Sequence, residues 1–503
     1  MVRRVAAEVP GSPSVPFRRP APSRRLPLLE AALGPAFLLL YLITVFLPGT
    51  FNLGPIRLSL FKLVLLVAFV PLALQWVRSL RERILLPDLL FLGFCLWVSL
   101  ATYAVHGAAQ IFYIGSTFVE YFGAYLVGRI VIRNADDYAR MFRYFLGILL
   151  VMAPFAIIEA VTRVRLLSNI MGMVLSTADQ YVHENRPRLG LTRATVGFNH
   201  PILWGIVCGL GFANVYYLYR DRFLRQIQAV ALVGLMTFLS ISSGPLLALG
   251  LQGLMIIWDH AFRVIRSRWL IGTVIGGTTL VVLQIILPGG IVGYTVNEVI
   301  FSQYSGLTRI TAFEYGTAEV LRSPFFGIGL KEYLRPWWEH SSIDNFWLVI
   351  AVRHGLPALI LLVLSIGVSA ALIMAQPDLD ERESRCRTGY LIALVALVLA
   401  LITVHIWSNA LAFVMTYIGA GAWFYAGSRP GRETRRMQQG RAAPASGKGG
   451  PGRPMPPVVR RRSPGTAAPA LPGSGPARGM RPHPAGTAGI NRTGRRGSGM
   501  PPA

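Results

Sequence analysis

Long apolar stretches, most of them about twenty residues long, recur along the middle of the chain. A helix needs about twenty mainly apolar residues to cross the hydrocarbon core of a bilayer, so each stretch predicts one membrane-spanning helix. Two shorter ones of about fifteen residues are separated only by Ser242, Ser243 and Gly244, which indicates either a tight helical hairpin or an interrupted segment. The predicted spans are about twelve: 32–48, 58–76, 85–105, 111–132, 142–161, 198–219, 227–241, 244–258, 269–288, 345–374, 389–405 and 409–427.

Polar residues are concentrated at the two ends of the chain. Residues 1–30 are rich in Pro, Arg and Ser, and residues 428–503 are rich in Gly, Pro, Arg and Ala. Neither segment has enough apolar residues to bury a core, so both are predicted to be disordered. The predicted fold is therefore all-α and polytopic, with a transmembrane domain over 31–427 between two basic disordered ends.

Composition supports a membrane protein, since 53% of the residues are hydrophobic and only 14% are charged. Soluble domains carry about 25% charged residues. The net charge of +26 arises largely at the ends, because residues 429–503 contain 15 Lys and Arg against the single acid Glu433. Basic segments beside a membrane attract anionic lipid headgroups. Membrane lipids are therefore expected partners, and nucleic acid is not, because no nucleic-acid-binding fold surrounds these arginines.

The charges of the short loops predict the orientation of the helices. If the N-terminus is cytoplasmic, the short loops on that side all carry arginine, whereas the short external loops 106–110, 242–244 and 406–408 carry no Lys or Arg. Cytoplasmic loops carry this excess in membrane proteins generally. Both termini are thus predicted to be cytoplasmic. The arginine-bearing loops are 77–84, 133–141, 220–226, 259–268 and 375–388.

Two long external loops, 162–197 and 289–344, contain the candidate chemistry. The first includes Arg188 and Arg193, and the second includes Arg309. Arginine suits a phosphate ligand because its planar donor fork binds two oxygens at once. A lipid-linked diphosphate at the outer membrane surface would be a natural ligand for these side chains.

The second long loop has a recognisable order of segments. Residues 308–322 predict a short helix at the membrane interface, and Gly327 to Gly329 predict a flexible turn. Trp337 and Trp338 are most simply interfacial anchors. Ser342 could cap the helix that follows, and Asp344 would suit its positive end.

Two acids, Glu120 and Glu159, fall inside predicted spans. Acids at membrane depth are functional candidates. Either one could instead pair with a buried arginine and hold helices together.

Several short motifs between about residues 190 and 365 carry a resemblance to a known family. In their order, combined with the twelve predicted spans and the large external loop, these motifs resemble the O-antigen ligase and O-antigen polymerase family of bacterial polysaccharide assembly. The matching segments are Phe198-Asn-His200-Pro201, Ser240-Ile-Ser242-Ser243-Gly244-Pro245, Thr308-Arg309, Ser323-Pro324-Phe-Phe-Gly327-Ile-Gly329, Asp344-Asn345 and Gly355-Leu-Pro357.

The resemblance implies a membrane glycosyltransferase of GT-C-like architecture that needs neither metal nor cofactor. Such an enzyme transfers a sugar chain from undecaprenyl diphosphate to a glycan or lipid A-core acceptor, on the external face of the bacterial inner membrane. Arg309 matches the large-loop arginine of the family and is expected to bind the diphosphate, followed by Arg193 and Arg188. His340 is the candidate to accept the proton of the acceptor hydroxyl, and Asp344 competes for that role.

Departures from the family pattern favour a polymerase slightly over a ligase. His340-Ser341 comes slightly before the position where ligases carry a His-Asn or His-Ser pair, and Gly244 replaces an arginine often found after the serines. A transporter or flippase of lipid-linked sugars is the main alternative, although no second copy of the long-loop arrangement is present. A non-catalytic scaffold of an envelope assembly complex is the third reading.

Overall fold

The computed structural model describes most of the predicted transmembrane domain. The ranges described are 33–53, 56–175, 187–265, 267–287, 303–338, 341–377 and 379–426. The predicted disordered ends at 1–30 and 428–503, and the candidate base His340, lie outside the described residues.

The described chain is mostly helical, with one short β-hairpin. In its first half the α-helices are α1 Pro35–Phe46, α2 Leu60–Glu82, α3 Leu86–His106, α4 Ile111–Phe118, α5 Ala124–Val131, α6 Ala135–Thr162 and α7 Leu166–Gly172. In its second half they are α8 Pro201–Leu210, α9 Phe212–Leu218, α10 Phe223–Phe238, α11 Ser243–Ala261, α12 Arg268–Ile286, α13 Gln303–Arg322, α14 Phe346–Met374, α15 Glu381–Ala400, α16 Ser408–Ala420 and α17 Trp423–Ala426.

Six helices among the described residues are long and apolar enough to cross a membrane. The chain is therefore an all-α membrane protein, as its composition predicts. One of the six, Leu86–Val131, is 46 residues long and contains several helical segments in succession. Gly107 (φ 66°) ends α3, and a 3₁₀ turn then leads into α4. The six are Leu60–Arg81, Leu86–Val131, Ala135–Thr162, Pro201–Leu218, Arg268–Ile286 and Phe346–Met374.

A small antiparallel hairpin joins α1 to α2. Its strands are β1 Thr50–Leu53 and β2 Ile56–Ser59, with Phe51 opposite Leu58. Hydropathy predicts only a loop here, because four-residue strands are too short to stand out between two apolar helices.

Small residues allow two helices to approach closely in the core. A Cβ on Gly128 of α5 would lie 1.9 Å from the carbonyl oxygen of Thr416, and one on Gly419 of α16 would lie 2.1 Å from that of Tyr125. Close backbone approach through small residues is a common way for helices to associate in membranes. The Thr416 hydroxyl adds a polar link, since it donates to Ala124 O at 3.0 Å.

A buried carboxylate joins α2, α3 and α5. Asp88 is fully buried and accepts hydrogen bonds from Arg129 Nε at 2.9 Å, Tyr125 Oη at 2.6 Å and Trp76 Nε1 at 3.2 Å. A buried charge needs such partners, because an isolated one would lose its hydration without compensation. Asp88 therefore fixes the position of these three helices at one end of the body.

The two acids inside predicted spans both have partners. Glu120 lies in a π-helical turn, Val119–Gly123, and its carboxylate is 2.8 Å from Lys62 Nζ of α2. Glu159 of α6 instead accepts hydrogen bonds from a loop segment described below. Glu120 and Glu159 were expected either to be functional acids or to hold elements together. These contacts support the second role.

Candidate anion-binding site

The site is built on the segment that follows residue 187, and Glu159 holds this segment in place. Glu159 is 2% exposed, and its Oε1 accepts hydrogen bonds from the backbone N of Thr195 at 3.0 Å and from its hydroxyl at 2.6 Å. Its Oε2 accepts from Val196 N at 2.9 Å. Val196 has a φ of 53°, an unfavourable conformation for a β-branched residue. Such strain persists only where surrounding contacts enforce it, and Glu159 supplies them.

This anchored segment directs two arginines towards the loop between α10 and α11. Arg193 donates from Nη2 to Ser242 Oγ at 2.6 Å and from Nε to Ser240 O at 3.4 Å. Arg188 donates from Nη1 to Ile241 O at 3.4 Å. The serine-rich hairpin therefore orients the arginine fork through a hydroxyl and through carbonyl oxygens.

Helix α13 brings the third arginine to the same place. Gly316 lets α13 pack tightly on α14, since a Cβ there would lie 2.8 Å from Leu348 Cδ2. Arg309, two turns earlier on α13, donates from Nη2 to Asp344 Oδ2 at 3.4 Å. The Nε of Arg309 is buried and has no hydrogen-bond partner among the described residues. A buried N–H left without a partner is costly, so a ligand or water oxygen at this point would be stabilising.

The three arginines are close enough for the charge of each to act on the others. Burial, followed by the charges of Arg188 and Arg309, lowers the pKa of Arg193 to about 10, and the charge of Asp344 opposes this shift. Burial, and then the charge of Arg309, also lowers the pKa of Arg188. Three guanidinium groups and one carboxylate thus share a small region, and the excess positive charge favours an anion there.

A turn and a helix break exchange backbone hydrogen bonds beside this site. Helix α14 is broken at Gly355 (φ 80°), and Pro357 has no N–H to offer the carbonyl of Arg353 four residues earlier. The predicted turn after α13 replaces the missing donors: Ile328 N bonds to Val352 O at 2.8 Å, and Gly329 N bonds to Arg353 O at 3.0 Å.

Glycine is required on both sides of this contact. A Cβ on Gly355 would lie 1.9 Å from Phe325 O, and one on Gly329 (φ 66°) would lie 2.3 Å from His106 Nε2. His106 Nε2 also accepts a hydrogen bond from Leu330 N at 2.8 Å. The segment predicted as a flexible turn is therefore a docked one.

Three details of the large loop differ from expectation. Asn345, rather than Ser342, caps α14, since its Oδ1 accepts from Leu348 N at 3.1 Å. Asp344 precedes the cap and pairs with Arg309 instead of entering the first turn. The predicted helix over 308–322 is longer, because α13 begins at Gln303. Trp337 is 95% exposed and Trp338 is 57% exposed, so both rings are available as interfacial anchors.

Four of the five candidate residues therefore lie together: Arg188, Arg193, Arg309 and Asp344. The sequence analysis did not predict two residues that position these side chains. Ser242 is the hydrogen-bond partner of Arg193, and Glu159 anchors the segment that carries Arg188 and Arg193. The acid inside an apolar span was the available signal for Glu159. Among the described residues, no three His, Cys, Asp or Glu side chains are grouped as metal ligands.

Comparisons with known proteins add no family assignment: no protein-family model matches this chain, and no curated protein matches it.

Proposed function

We propose that the protein is a membrane glycosyltransferase that transfers or polymerises an oligosaccharide linked to undecaprenyl diphosphate, with polymerase preferred over ligase. It would need neither metal nor cofactor, and its acceptor would be a glycan or a lipid A-core. The observation that carries the proposal is the convergence of Arg188 and Arg193 on the loop between α10 and α11, within electrostatic reach of Arg309 on α13.

A departing diphosphate explains why several fixed cations would be needed. Negative charge grows on the leaving group as the glycosidic bond breaks, and donors held in position stabilise it without reorganisation. Arg193 is held by Ser242 and Arg309 by Asp344, so both forks are oriented before a ligand binds. In this role Arg309 would bind the diphosphate first, with Arg193 and Arg188 completing the site.

The acceptor hydroxyl needs a group that receives its proton. Asp344 is 43% exposed at its side chain and lies beside Arg309, so its carboxylate is accessible next to the proposed diphosphate. His340 stays the other candidate. Proximity of a base to the leaving-group site is the first requirement for general base catalysis.

The proposed topology has about twelve spans, both termini in the cytoplasm and the arginine site on the external face of the bacterial inner membrane. The distribution of arginine among the short loops supports this orientation. The contacts between the segment after α7 and the loop after α10 support a common location for Arg188 and Arg193. A flippase of lipid-linked sugars is the alternative, since it too would bind a diphosphate.

The test uses purified protein in detergent with an undecaprenyl-diphosphate-linked oligosaccharide, without metal or nucleotide. Release of undecaprenyl diphosphate with longer lipid-linked chains is the expected result, and it identifies a polymerase. Release that depends on an added lipid A-core acceptor identifies a ligase. No turnover, combined with movement of intact donor across liposome membranes, would overturn the proposal in favour of a flippase.

Arg309→Lys tests the proposed role of the fork. Lysine keeps the charge but cannot bind two oxygens side by side, so kcat/KM should fall about 10–100-fold, as expected for the loss of a charge-assisted hydrogen bond of about 1.5–3 kcal/mol. Arg163→Lys is the matched control, because Arg163 is exposed at the end of α6. Full activity of Arg309→Lys would remove Arg309 from the site.

A further inference from the structure

Four hydrogen bonds attach the docked turn after α13, residues 324–330, to the helices beside it. Three of them join backbone groups of the turn to the break in α14, at 2.7, 2.8 and 3.0 Å. In the fourth, Leu330 N donates to Nε2 of His106, the last residue of α3, at 2.8 Å. An imidazole gains charge between about pH 8 and 5, whereas backbone amides and carbonyls do not. Of these four bonds, only the one to His106 can therefore respond to pH in that range.

The geometry of this bond fixes the protonation state of His106. A backbone N–H can only donate, so Nε2 carries the lone pair and the proton of the neutral ring is on Nδ1. A further proton on Nε2 would set two donors against each other at 2.8 Å. Protonation of His106 and docking of Leu330 therefore exclude each other. The ring is partly exposed and lies in the short loop 106–110 that is predicted to be external, so protons from the solvent can reach it.

The position of His106 on its own helix works against the docked state. His106 ends α3, and the negative end of a helix favours a positive side chain. The one carboxylate of α3, Asp88, belongs to its first turn and is bound to Arg129. The 3₁₀ turn and α4 that follow, residues 107–118, contain no charged residue. The helix end thus favours the protonated ring, whereas the bond from Leu330 requires the neutral one.

The elements packed against His106 supply no fixed counter-charge. Among the described residues, no carboxylate forms an ion pair with its ring, because the acids near the turn have arginine partners at 3.2 and 2.9 Å. On α14, His354 is 4% exposed, and burial disfavours a charge there. The charge of His106 is therefore controlled by the solvent rather than by a neighbouring acid. The charged groups of these elements are Glu319, Arg322, Lys331, Glu332, Arg335 and Arg353, and the tyrosines are Tyr103, Tyr113 and Tyr333.

Helix α3 also holds the turn at a second point that does not titrate. The ring of Trp97 stacks on Phe326 with the centroids 5.6 Å apart, and its Nε1 donates to His354 O at 3.0 Å. The start of the turn is therefore held at any pH. Loss of the bond to His106 would release only the end of the turn, and from there the chain continues to Asp344.

We propose that His106 is a pH-sensitive latch for the large external loop. The neutral ring binds Leu330 and keeps the turn docked at the break in α14, and the protonated ring releases residues 328–331. Docking is complete at high pH and is lost as the pH falls through the range in which His106 gains its proton. The effect on catalysis rests on the proposed function: release would loosen the segment that leads to the candidate base Asp344, so acid would slow turnover.

Hydrogen–deuterium exchange of the full-length protein in detergent tests the latch without any substrate. Peptides that cover residues 324–334 are followed at about pH 7.5 and about pH 5.5, with rates corrected for the intrinsic effect of pH on exchange. In wild type the corrected rate should be at least about tenfold higher at the lower pH, because a hydrogen bond is replaced by two opposed donors.

Two variants assign the effect to His106. The amide oxygen of His106→Gln can accept from Leu330 N and does not titrate, so this variant should be equally protected at both pH values. His260→Gln is the matched control and should behave as wild type, because His260 lies on α11 and contacts Tyr216 and the carbonyl of Ile256.

Two results would overturn the latch. Unchanged protection of wild type at the two pH values would do so without any variant. The same loss of protection in His106→Gln as in wild type would assign the pH effect to another group.

Activity measurements separate the latch from the proposed function. In the polymerisation assay, the change from about pH 7.5 to about pH 5.5 should lower kcat of wild type at least about threefold more than kcat of His106→Gln. An equal fall in both would overturn the link between the latch and catalysis. If neither protein turns over at any pH, the proposed function fails, whereas the exchange rates still decide whether His106 is a latch.

Discussion

Glu159→Gln is the change that most directly tests how the arginine site is held together. The substitution keeps the size of the side chain but replaces one carboxylate oxygen by an NH₂ group. With the amide oxygen placed at Oε1, the NH₂ group faces Val196 N, which now donates to Oε2 at 2.9 Å. Two donors then oppose each other in a buried position. Flipping the amide transfers the same conflict to Thr195, whose N and hydroxyl both donate to Oε1.

The expected cost follows from these three hydrogen bonds. An unsatisfied buried N–H costs about 1–3 kcal/mol, and each of the two remaining bonds loses about 1 kcal/mol when its acceptor becomes neutral. Arg165, whose Nε lies 3.7 Å from Oε1, also loses its counter-charge. The variant should therefore be about 3–5 kcal/mol less stable than wild type. Relief of the strained φ at Val196 would then let Arg193 move, and undecaprenyl diphosphate should bind at least about tenfold more weakly.

Chemical unfolding in mixed micelles, followed by tryptophan fluorescence, measures the first effect. Glu381→Gln is the control, because this carboxylate is 83% exposed and pairs with Arg385 on the surface. Its loss should cost at most about 1 kcal/mol. If Glu159→Gln unfolds within about 1 kcal/mol of wild type, Glu159 does not anchor the segment, and the account of how Arg193 is positioned is wrong.

Three further predictions concern other parts of the chain. Gly329→Ala should lower stability by about 1–3 kcal/mol, because its Cβ would meet His106 Nε2 at 2.3 Å in a conformation with φ of 66°; Gly276→Ala, with open space around its Cβ, should be neutral or slightly stabilising. Asp88→Asn should cost about 3–5 kcal/mol by leaving Arg129 without its buried counter-charge, whereas Asp136→Asn, at a carboxylate that is 72% exposed, should change stability by at most about 1 kcal/mol in the same unfolding assay. Deletion of residues 432–503 should leave glycan polymerisation largely intact in the purified system, and complete loss of polymerisation would contradict a dispensable tail.

Hydropathy predicted the helical class well, because the length and apolar character of a membrane span are local properties of the sequence. The sequence also located most of α13 and the turn after it, from residue type rather than from hydropathy. It could not predict that this turn is docked, because the hydrogen bonds of Ile328 and Gly329 go to carbonyls exposed by a break more than twenty residues later. Pro357 was visible in the sequence, but the identity of the donors that replace its missing N–H depends on tertiary structure.

The candidate site shows the same division between local and tertiary information. Residue type and position in long loops selected Arg188, Arg193 and Arg309, since arginine suits phosphate wherever it occurs. Their partners were not predictable, because Ser242 and Arg193 are 49 residues apart and meet only in the folded protein.

The break in α14 has a consequence for the order in which the protein assembles. Until residues 324–329 dock on α14, the carbonyls of Val352 and Arg353 have no hydrogen-bond donor. An unsatisfied backbone group in a hydrocarbon environment costs several kcal/mol. Residues 324–329 leave the ribosome before α14 does. They can dock only against α14, which is made later. The first half of α14 therefore cannot settle at its final depth alone. Docking of the turn completes that helix, so insertion of α14 and closure of the large loop are one event in folding.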